Sequence, residues 1–242
     1  MTHALEYRKQ DIDMHWDGAV NARLICGRFY RMGRREWLTD RGWEQLRAAG
    51  IATVIDLRNP GEIKRREFDP EITGDAAAGI DIVNLPLEEA GNERFEAVAV
   101  PYMNHTGMYR LVCEEFGENL RGVFEHLAQA SGASVVHCSA GRDRSGLVAT
   151  LLLDLAGRRE DIALHDELAV RGINEWHRVS PRKHPYEVHR SEAELQRAIT
   201  ERAQGLEEFM AWVGSAEEYL RSVGMDAAVV RKLKSLTSSE TI

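Results

Sequence analysis

The sequence of 242 residues contains little cysteine and lacks the long apolar runs of a membrane protein. Its three cysteines, Cys26, Cys113 and Cys138, have no CxxC spacing, so neither a disulfide framework nor a zinc knuckle is expected. Reduced thiols are typical of cytoplasmic proteins, which predicts that location. No stretch approaches the ~18 apolar residues of a transmembrane helix, and residues 1–17 are charged and do not resemble a secretory signal. Export by a signal-independent route stays open.

An excess of basic residues is also missing. The formal net charge is −8, which argues against a dedicated nucleic-acid-binding protein, because such proteins present a basic face. Net charge does not exclude a local positive site, so an acidic protein can still bind an anion. The composition is otherwise that of an ordinary soluble protein, with 43% hydrophobic and 29% charged residues. None of these values indicates an oligomeric state.

Predicted strands alternate with predicted helices along the chain. β-branched apolar runs ended by turn residues predict strands at 28–32, 51–57, 80–85 and 134–138. Apolar residues at helical spacing predict helices at 38–50, 119–130, 145–156, 161–170, 192–212, 216–223 and 226–236. This alternation predicts an α/β fold with a central, mainly parallel sheet of four or five strands and helices on both faces.

The chain has no internal repeat and no low-complexity linker, so residues 1–242 are interpreted as a single domain. Two segments, 88–117 and 171–205, are longer than ordinary connections and are candidates for a lid over a binding site. The polar stretch 171–185, which contains histidine, proline and lysine, is expected to form loops.

One short segment carries most of the chemical information. Residues 136–146, Val-His-Cys-Ser-Ala-Gly-Arg-Asp-Arg-Ser-Gly, join an apolar strand to an apolar helix through a loop with two glycines. At such a turn the backbone N–H groups can point inwards, with the positive end of the helix behind them. The segment therefore predicts a cup that binds a tetrahedral oxyanion, lined by Ser139, Ala140, Gly141 and Arg142.

The side chains of this loop suit phosphoryl transfer. Cys138 lies at the base of the cup, where the N–H groups and the helix terminus favour the nucleophilic thiolate. Arg144 can offer its planar fork to two phosphoryl oxygens and stabilise their charge in the transition state. Ser145 is placed to donate a hydrogen bond to the sulfur when it departs. This chemistry needs no metal and no other cofactor.

The loop resembles the Cys-x5-Arg-Ser/Thr phosphate loop of the protein tyrosine phosphatase superfamily, in which histidine commonly precedes the cysteine. The pair Arg142-Asp143 resembles the atypical bacterial branch, which carries a basic residue and an aspartate at these positions. The order of further segments is similar to that branch, namely 21–23, 29–31, 53–58 with Glu62, and 214–220. The segment after Arg23 departs from the usual Asp-Leu-Gly-Gly, and Met32 replaces a serine. The resemblance implies a three-layer tyrosine-phosphatase-like fold.

The general acid is less well defined, because the Trp-Pro-Asp loop of eukaryotic tyrosine phosphatases is absent. The resemblance implies Asp143 as the proton donor. Glu88 or Glu89 is the alternative, because both follow a predicted strand that ends near the expected pocket. Asp56 and Arg58 are interpreted as a structural ion pair, and His137 as a buried histidine that orients the loop.

The expected activity is cysteine-dependent hydrolysis of phosphate monoesters through a phosphocysteine intermediate. The resemblance implies phosphotyrosine in proteins as substrate, followed by phosphoserine/threonine or a phosphoinositide headgroup. An arsenate reductase-like or sulfurtransferase-like enzyme is one alternative, since these also place a cysteine in an anion-binding loop. A non-catalytic phosphate-binding module is the other, although such a module needs no nucleophile.

Overall fold

The computed structural model describes residues 12–99, 103–180 and 187–238. In these residues five short strands form one sheet in the order β1-β2-β5-β3-β4. The strands are β1 (Arg23–Cys26), β2 (Phe29–Met32), β3 (Ile51–Asp56), β4 (Asp81–Asn84) and β5 (Ala133–His137). β1 pairs antiparallel with β2, and the remaining pairs are parallel. The prediction of a mainly parallel sheet is therefore confirmed, although β1 was not predicted.

Helices follow most of the strands. They are α1 (Asp40–Ala48), α2 (Glu93–Glu96), α3 (Tyr109–Glu115), α4 (Gly117–Gln129), α5 (Arg144–Leu155), α6 (Ile162–Val179), α7 (Glu192–Val213), α8 (Ala216–Ser222) and α9 (Ala227–Thr237). Thr39 caps α1, as its sequence predicts, because its side chain accepts a hydrogen bond from the Gly42 N–H. Gly50 then adopts φ +74° and lets the chain turn directly into β3.

The alternating side chains of the sheet enter two apolar layers. Phe29, Ile55 and Val136 face a large cluster that includes α5, whereas Tyr30 and Val54 face a smaller cluster on the side of α1. Helices thus cover both faces of the sheet, as predicted. α5 is buried on nearly all sides, which explains its largely apolar sequence after Gly146. This buried helix provides a rigid support for the loop at its N-terminus.

The expectation of a loop over 171–185 is wrong for its first part, because α6 continues to Val179. Val170, Ile173 and His177 are buried along one side of the helix, and the intervening polar residues lie on its other faces. Residues 181–186 lie outside the described part of the chain.

The predicted lid segment 88–117 contains α2 and α3, and the predicted lid segment 171–205 contains parts of α6 and α7. Their movement stays a prediction, as does the single domain. No described helix has both the length and the apolar character needed to cross a membrane.

Candidate active site

The predicted anion loop lies where β5 ends and α5 begins. Because β2, β3 and β4 run parallel to β5, the segments that follow all four strands meet at the same edge of the sheet. Cys138 is the first residue after β5, and its side chain is buried. Its Sγ lies 3.7 Å from the Oγ of Ser145 in the first turn of α5. The thiol and hydroxyl thus stand together at the base of the loop.

The carbonyl groups of the loop all point away from this base. Four consecutive carbonyls accept hydrogen bonds from groups behind the loop: Ser139 from the Arg34 N–H (2.9 Å), Ala140 from Asn21 Nδ2 (2.9 Å), and Gly141 and Arg142 from Arg31 Nη2 (2.9 and 2.8 Å). In a trans peptide the C=O and the next N–H point in opposite directions. The N–H groups of residues 140–143 therefore face the inside, and within the described ranges they have no protein acceptor. This arrangement is a nest of N–H groups, of the kind that can bind an anion.

Gly141 makes this loop conformation possible. Its φ is +67°, and a Cβ there would lie 2.5 Å from the Gly33 nitrogen and 2.7 Å from the Met32 oxygen. Any larger residue would clash with the backbone after β2. The loop is consequently packed directly against its neighbouring strand, which keeps the N–H groups in place.

Arg31 supports the loop from behind, and sequence reasoning missed its role. It lies in β2, is 1% exposed, and donates from Nη2 to two loop carbonyls, with the Ser145 Oγ at 3.5 Å. Burial lowers the pKa of this guanidinium, and nearby acidic groups oppose that effect. An arginine between two apolar residues of a predicted strand, Tyr30 and Met32, is the sequence signal that could have indicated it.

Arg144 is held by two glutamates at the mouth of the loop. Its Nη1 and Nη2 donate to both carboxylate oxygens of Glu62 at 2.8 and 2.9 Å. Its Nε lies 3.1 Å from Oε1 of Glu88. The Arg144 side chain is mostly buried and is paired with two carboxylates, which hold its guanidinium in one orientation. Glu88 contacts the edge of the guanidinium that contains Nε. The family resemblance includes Glu62, but no local sequence pattern predicts its contact with Arg144.

Glu88 is a buried carboxyl group with an incomplete set of partners. It is 6% exposed, and its Oε2 has no hydrogen-bond partner within the described ranges. Burial raises the pKa of Glu88 above its ordinary value; Arg144 opposes this rise, whereas Glu62 and Asp143 add to it. Glu89, its neighbour in sequence, is exposed. The structure thus separates two glutamates that the sequence left equivalent.

Asp143 is held by arginines on the other side of the loop. Its Oδ2 accepts from Arg142 Nε at 3.0 Å and its Oδ1 from Arg202 Nη1 at 2.8 Å. Burial raises the pKa of Asp143, but Arg142 and Arg202 outweigh burial and hold it below the usual value. Arg202, from α7, also binds both oxygens of Asp166 at 2.8 and 2.6 Å. These contacts favour an ionised Asp143, and its predicted role as proton donor stays a prediction.

The Arg142 side chain is directed to the same side. Both of its Nη groups donate to the carboxylate of Glu187 at 2.8 Å. Arg142 is 4% exposed and lies in a small crevice with residues of α6 and α7. Three of the four predicted substrate-binding residues, Ala140, Gly141 and Arg142, therefore contribute an inward N–H group to the cup, and the Arg142 side chain also connects the loop to the segment before α7.

The residues flanking the loop form a separate polar network. Arg58 binds Asp56 at 2.7 Å and Glu36 at 2.8 Å, so Asp56 and Arg58 do form the ion pair expected of them. His137 Nδ1 lies 3.3 Å from the Cys138 carbonyl, and its Nε2 lies 3.5 Å from Asp56 Oδ2. Burial lowers the pKa of His137 to about 4, with Asp56 opposing the effect. A neutral histidine can therefore donate to the carbonyl that precedes the cup.

The other two thiols take no part in this site. Cys26, Cys113 and Cys138 are all free and buried. Burial raises the pKa of both Cys26 and Cys113 to about 12. They are consequently poor nucleophiles.

Comparison with known proteins adds independent information. Residues 17–237 match the model of the tyrosine phosphatase family. The triple specificity protein phosphatase PtpB of Mycobacterium tuberculosis is 27% identical, over 60% of this chain and 61% of its own length. A tyrosine-protein phosphatase of Nostoc commune is 26% identical over 81% of this chain and 69% of its own length. A Cupriavidus necator relative is 29% identical over 62% of this chain and 56% of its own, so the chain spans less than two thirds of the first two relatives it matches.

Solved structures are more distant. Pseudomonas aeruginosa TpbA is 14% identical with a TM-score of 0.34, and the match covers 81% of this chain and 97% of that one. Tk-PTP in the active form is 15% identical with a TM-score of 0.32, and the match covers 78% of this chain and 97% of that one.

Proposed function

Because this chain belongs to the tyrosine phosphatase family, we propose that it hydrolyses phosphate monoesters through a phosphocysteine intermediate on Cys138. The observation that carries the proposal is the nest of N–H groups of residues 140–143 beside the buried thiol. Such a nest binds the phosphoryl oxygens of a substrate and directs the phosphorus towards the sulfur.

The reaction proceeds in two displacements. The Cys138 thiolate attacks phosphorus, so an S–P bond forms while the bond to the ester oxygen breaks and that oxygen takes a proton. Arg144 and the inward N–H groups stabilise the charge on the three equatorial oxygens. Water then attacks phosphorus, releasing inorganic phosphate and the thiolate, to which the Ser145 hydroxyl donates a hydrogen bond.

We propose phosphotyrosine in proteins as the first substrate class, with phosphoserine/threonine or phosphoinositides second. The name of the mycobacterial relative includes the words triple specificity, which supports testing all three. Exposed Lys64, Arg65 and Arg66 begin two residues after Glu62, which binds Arg144. Their positive charge would favour an acidic phosphoprotein or a phospholipid headgroup. The free thiols are consistent with the cytoplasmic location that we also propose.

Replacement of the nucleophile tests the mechanism. We expect Cys138→Ser to lower kcat for an aryl phosphate by at least about 10³-fold while inorganic phosphate still binds, because the nest is backbone. Cys113→Ser, a buried thiol outside the loop, is the matched control and should retain activity. Residual turnover of Cys138→Ser within tenfold of the native rate would contradict the covalent mechanism.

The same assay distinguishes the alternatives. A non-catalytic phosphate-binding module would bind phosphate in both variants and hydrolyse nothing. An arsenate reductase-like or sulfurtransferase-like enzyme would leave the aryl phosphate intact and consume arsenate or a sulfur donor instead. The Arg144-Ser145 pair, placed for phosphoryl transfer, favours the phosphatase.

A further inference from the structure

Glu88 occupies a fixed position beside the phosphate loop. The Leu85 and Leu87 N–H groups donate to the carbonyls of Asp56 and Leu57 at 2.9 and 3.1 Å, which attaches this segment to the end of β3. Leu87 is fully buried, so the chain cannot rotate freely before Glu88. The carboxyl group of Glu88 is thereby held within 3.1 Å of the Arg144 Nε.

The charges around Glu88 do not balance. Arg144 carries one positive charge and faces two carboxylates, since Glu62 already binds both of its Nη groups. Asp143, the third acidic group near Glu88, accepts hydrogen bonds from two arginines, Arg142 and Arg202, which also bind Glu187 and Asp166. Glu88 has Arg144 as its nearest cation, and its buried Oε2 has no partner in the described part of the chain. An ionised carboxylate is costly in such a place.

A phosphoryl dianion would make this imbalance larger. Glu62 binds the Nη1–Nη2 edge of Arg144, so the edge that contains Nε is the one left to bind two phosphoryl oxygens. Glu88 Oε1 lies on that edge. Substrate must therefore displace Glu88 from its cation and bring two further negative charges beside it. A like charge at close range favours the protonated form of a carboxyl group.

We propose that Glu88 takes up a proton when the phosphoryl group binds to Arg144 and then donates that proton to the leaving ester oxygen. This inference rests on the proposed phosphatase activity. The proton passes from Glu88 Oε to the ester oxygen as the P–O bond breaks and the S–P bond forms. In the second step the Glu88 carboxylate accepts a proton from the water that attacks phosphorus, so all protons balance. The raised pKa of Glu88 agrees with this role, and the lowered pKa of Asp143 disfavours Asp143 in it.

Leaving groups of different basicity test the proton transfer. We expect Glu88→Gln to lower kcat for phenyl phosphate about 10²-fold or more, because an unactivated oxygen needs the proton. The same variant should lose less than about tenfold on 4-nitrophenyl phosphate, whose leaving group needs little help. Glu89→Gln, at the exposed residue next to Glu88, should not lower kcat for phenyl phosphate more than for 4-nitrophenyl phosphate. Asp143→Asn should affect the two esters equally.

The failure of this inference is distinguishable from failure of the proposed function. If Glu88→Gln slows both esters equally while Cys138→Ser is inactive, the phosphatase stands and Glu88 is not the donor. A selective loss on phenyl phosphate in Asp143→Asn, but not in Glu88→Gln, assigns the donor to Asp143 and overturns the inference. A Cys138→Ser protein with native activity overturns the proposed function itself.

Sulfate binding tests the coupled proton uptake without catalysis. Sulfate stays dianionic near neutral pH, and the Cys138→Ser background removes the thiolate. If binding takes up a proton on Glu88, sulfate affinity should fall as pH rises, by up to about tenfold per pH unit. The added Glu88→Gln change should abolish this dependence and strengthen binding at high pH, because it removes the competing charge. Equal pH dependence with and without Glu88 would contradict the proposal.

Discussion

Arg144, the residue proposed to bind the phosphoryl group, is oriented by two neighbouring glutamates. Glu62 binds the outer edge of its guanidinium with two nearly equal hydrogen bonds of 2.8 and 2.9 Å. This bidentate contact fixes the plane of the group and leaves the Nε side for a tetrahedral anion. A lysine at this position would keep the charge, but it could not satisfy Glu62 and bind two phosphoryl oxygens at once.

We therefore expect Arg144→Lys to reduce kcat/KM for an aryl phosphate by at least about 10²-fold, the loss typical of one oxyanion-stabilising donor. Arg178→Lys, at an exposed arginine paired with Glu175 on α6, should behave like the native protein. Steady-state kinetics on both variants give the comparison. Unchanged kcat/KM in Arg144→Lys would place this residue outside the reacting site.

The two candidate proton donors are both carboxyl groups, but their surroundings shift their pKa values in opposite directions. Asp143 accepts hydrogen bonds from Arg142 and Arg202, whereas Glu88 shares the single guanidinium of Arg144 with Glu62. The two arginines beside Asp143 outweigh its burial and favour the ionised form, although each also binds a second carboxylate, whereas the one arginine beside Glu88 does not outweigh burial. The family resemblance indicates Asp143, and the electrostatics of the fold favour Glu88, so the leaving-group experiment decides between them.

At the scale of elements, α7 is attached to the phosphate loop by a buried ionic cluster. Arg202 of α7 binds Asp143 before α5 and Asp166 of α6, and its Nη1 also donates to the Asn104 carbonyl at 3.0 Å. Glu187, in the segment before α7, makes a second contact with the loop by accepting two hydrogen bonds from Arg142. The predicted lid segment 171–205 is thus connected to the loop by two sets of charged hydrogen bonds.

Removal of the central charge should disconnect these elements. We expect Arg202→Met to lower the free energy of unfolding by about 3–5 kcal/mol, because it leaves buried aspartates uncompensated. Activity should fall as well, since Asp143 would lose one of its two partners. Arg197→Met, at an exposed position of the same helix, should stay within about 0.5 kcal/mol of the native value. Denaturant unfolding measures both, and equal stability of the two variants would contradict the role of the cluster.

At the scale of the whole molecule, two buried histidines make stability depend on pH. Burial lowers the pKa of His137 from 6.5 to about 4 and that of His165 to about 3. In the unfolded chain both bind protons from about pH 6.5 downwards, whereas the folded protein does so only well below pH 5. The unfolded state therefore gains protons first, and stability is present above pH 6.5 and lost as the pH falls towards 4.

We expect the free energy of unfolding to decrease between pH 6.5 and 5 by up to about 1.4 kcal/mol per pH unit for each of these histidines. His165→Asn should reduce this slope, while the exposed His189→Asn should leave it unchanged. Urea unfolding at several pH values provides the measurement. If the free energy of unfolding depends equally on pH in the native protein, His165→Asn and His189→Asn, then His165 is not responsible for the pH dependence.

Several features of this protein follow from local sequence. The strand, loop and helix around Cys138 are contiguous, so alternation in the strand, glycine in the turn and apolar residues in the helix determine them without distant partners. The same local rules predicted the parallel sheet and most helices. They failed at residues 171–179, because the helix there buries only one narrow side and most of its remaining residues are polar.

The tertiary structure alone decided which distant side chains surround the loop. Glu62 lies 82 positions before Arg144, Arg31 lies 110 before Gly141, and Arg202 lies 59 after Asp143. No local pattern pairs such residues, because their contact arises only when parallel strands bring successive connections to one edge of the sheet. The protonation of Glu88 and Asp143 depends on these contacts, since burial and neighbouring charge set the pKa of a carboxyl group. A candidate nucleophile could therefore be proposed from the sequence, whereas the choice between the two candidate proton donors depends on the tertiary structure.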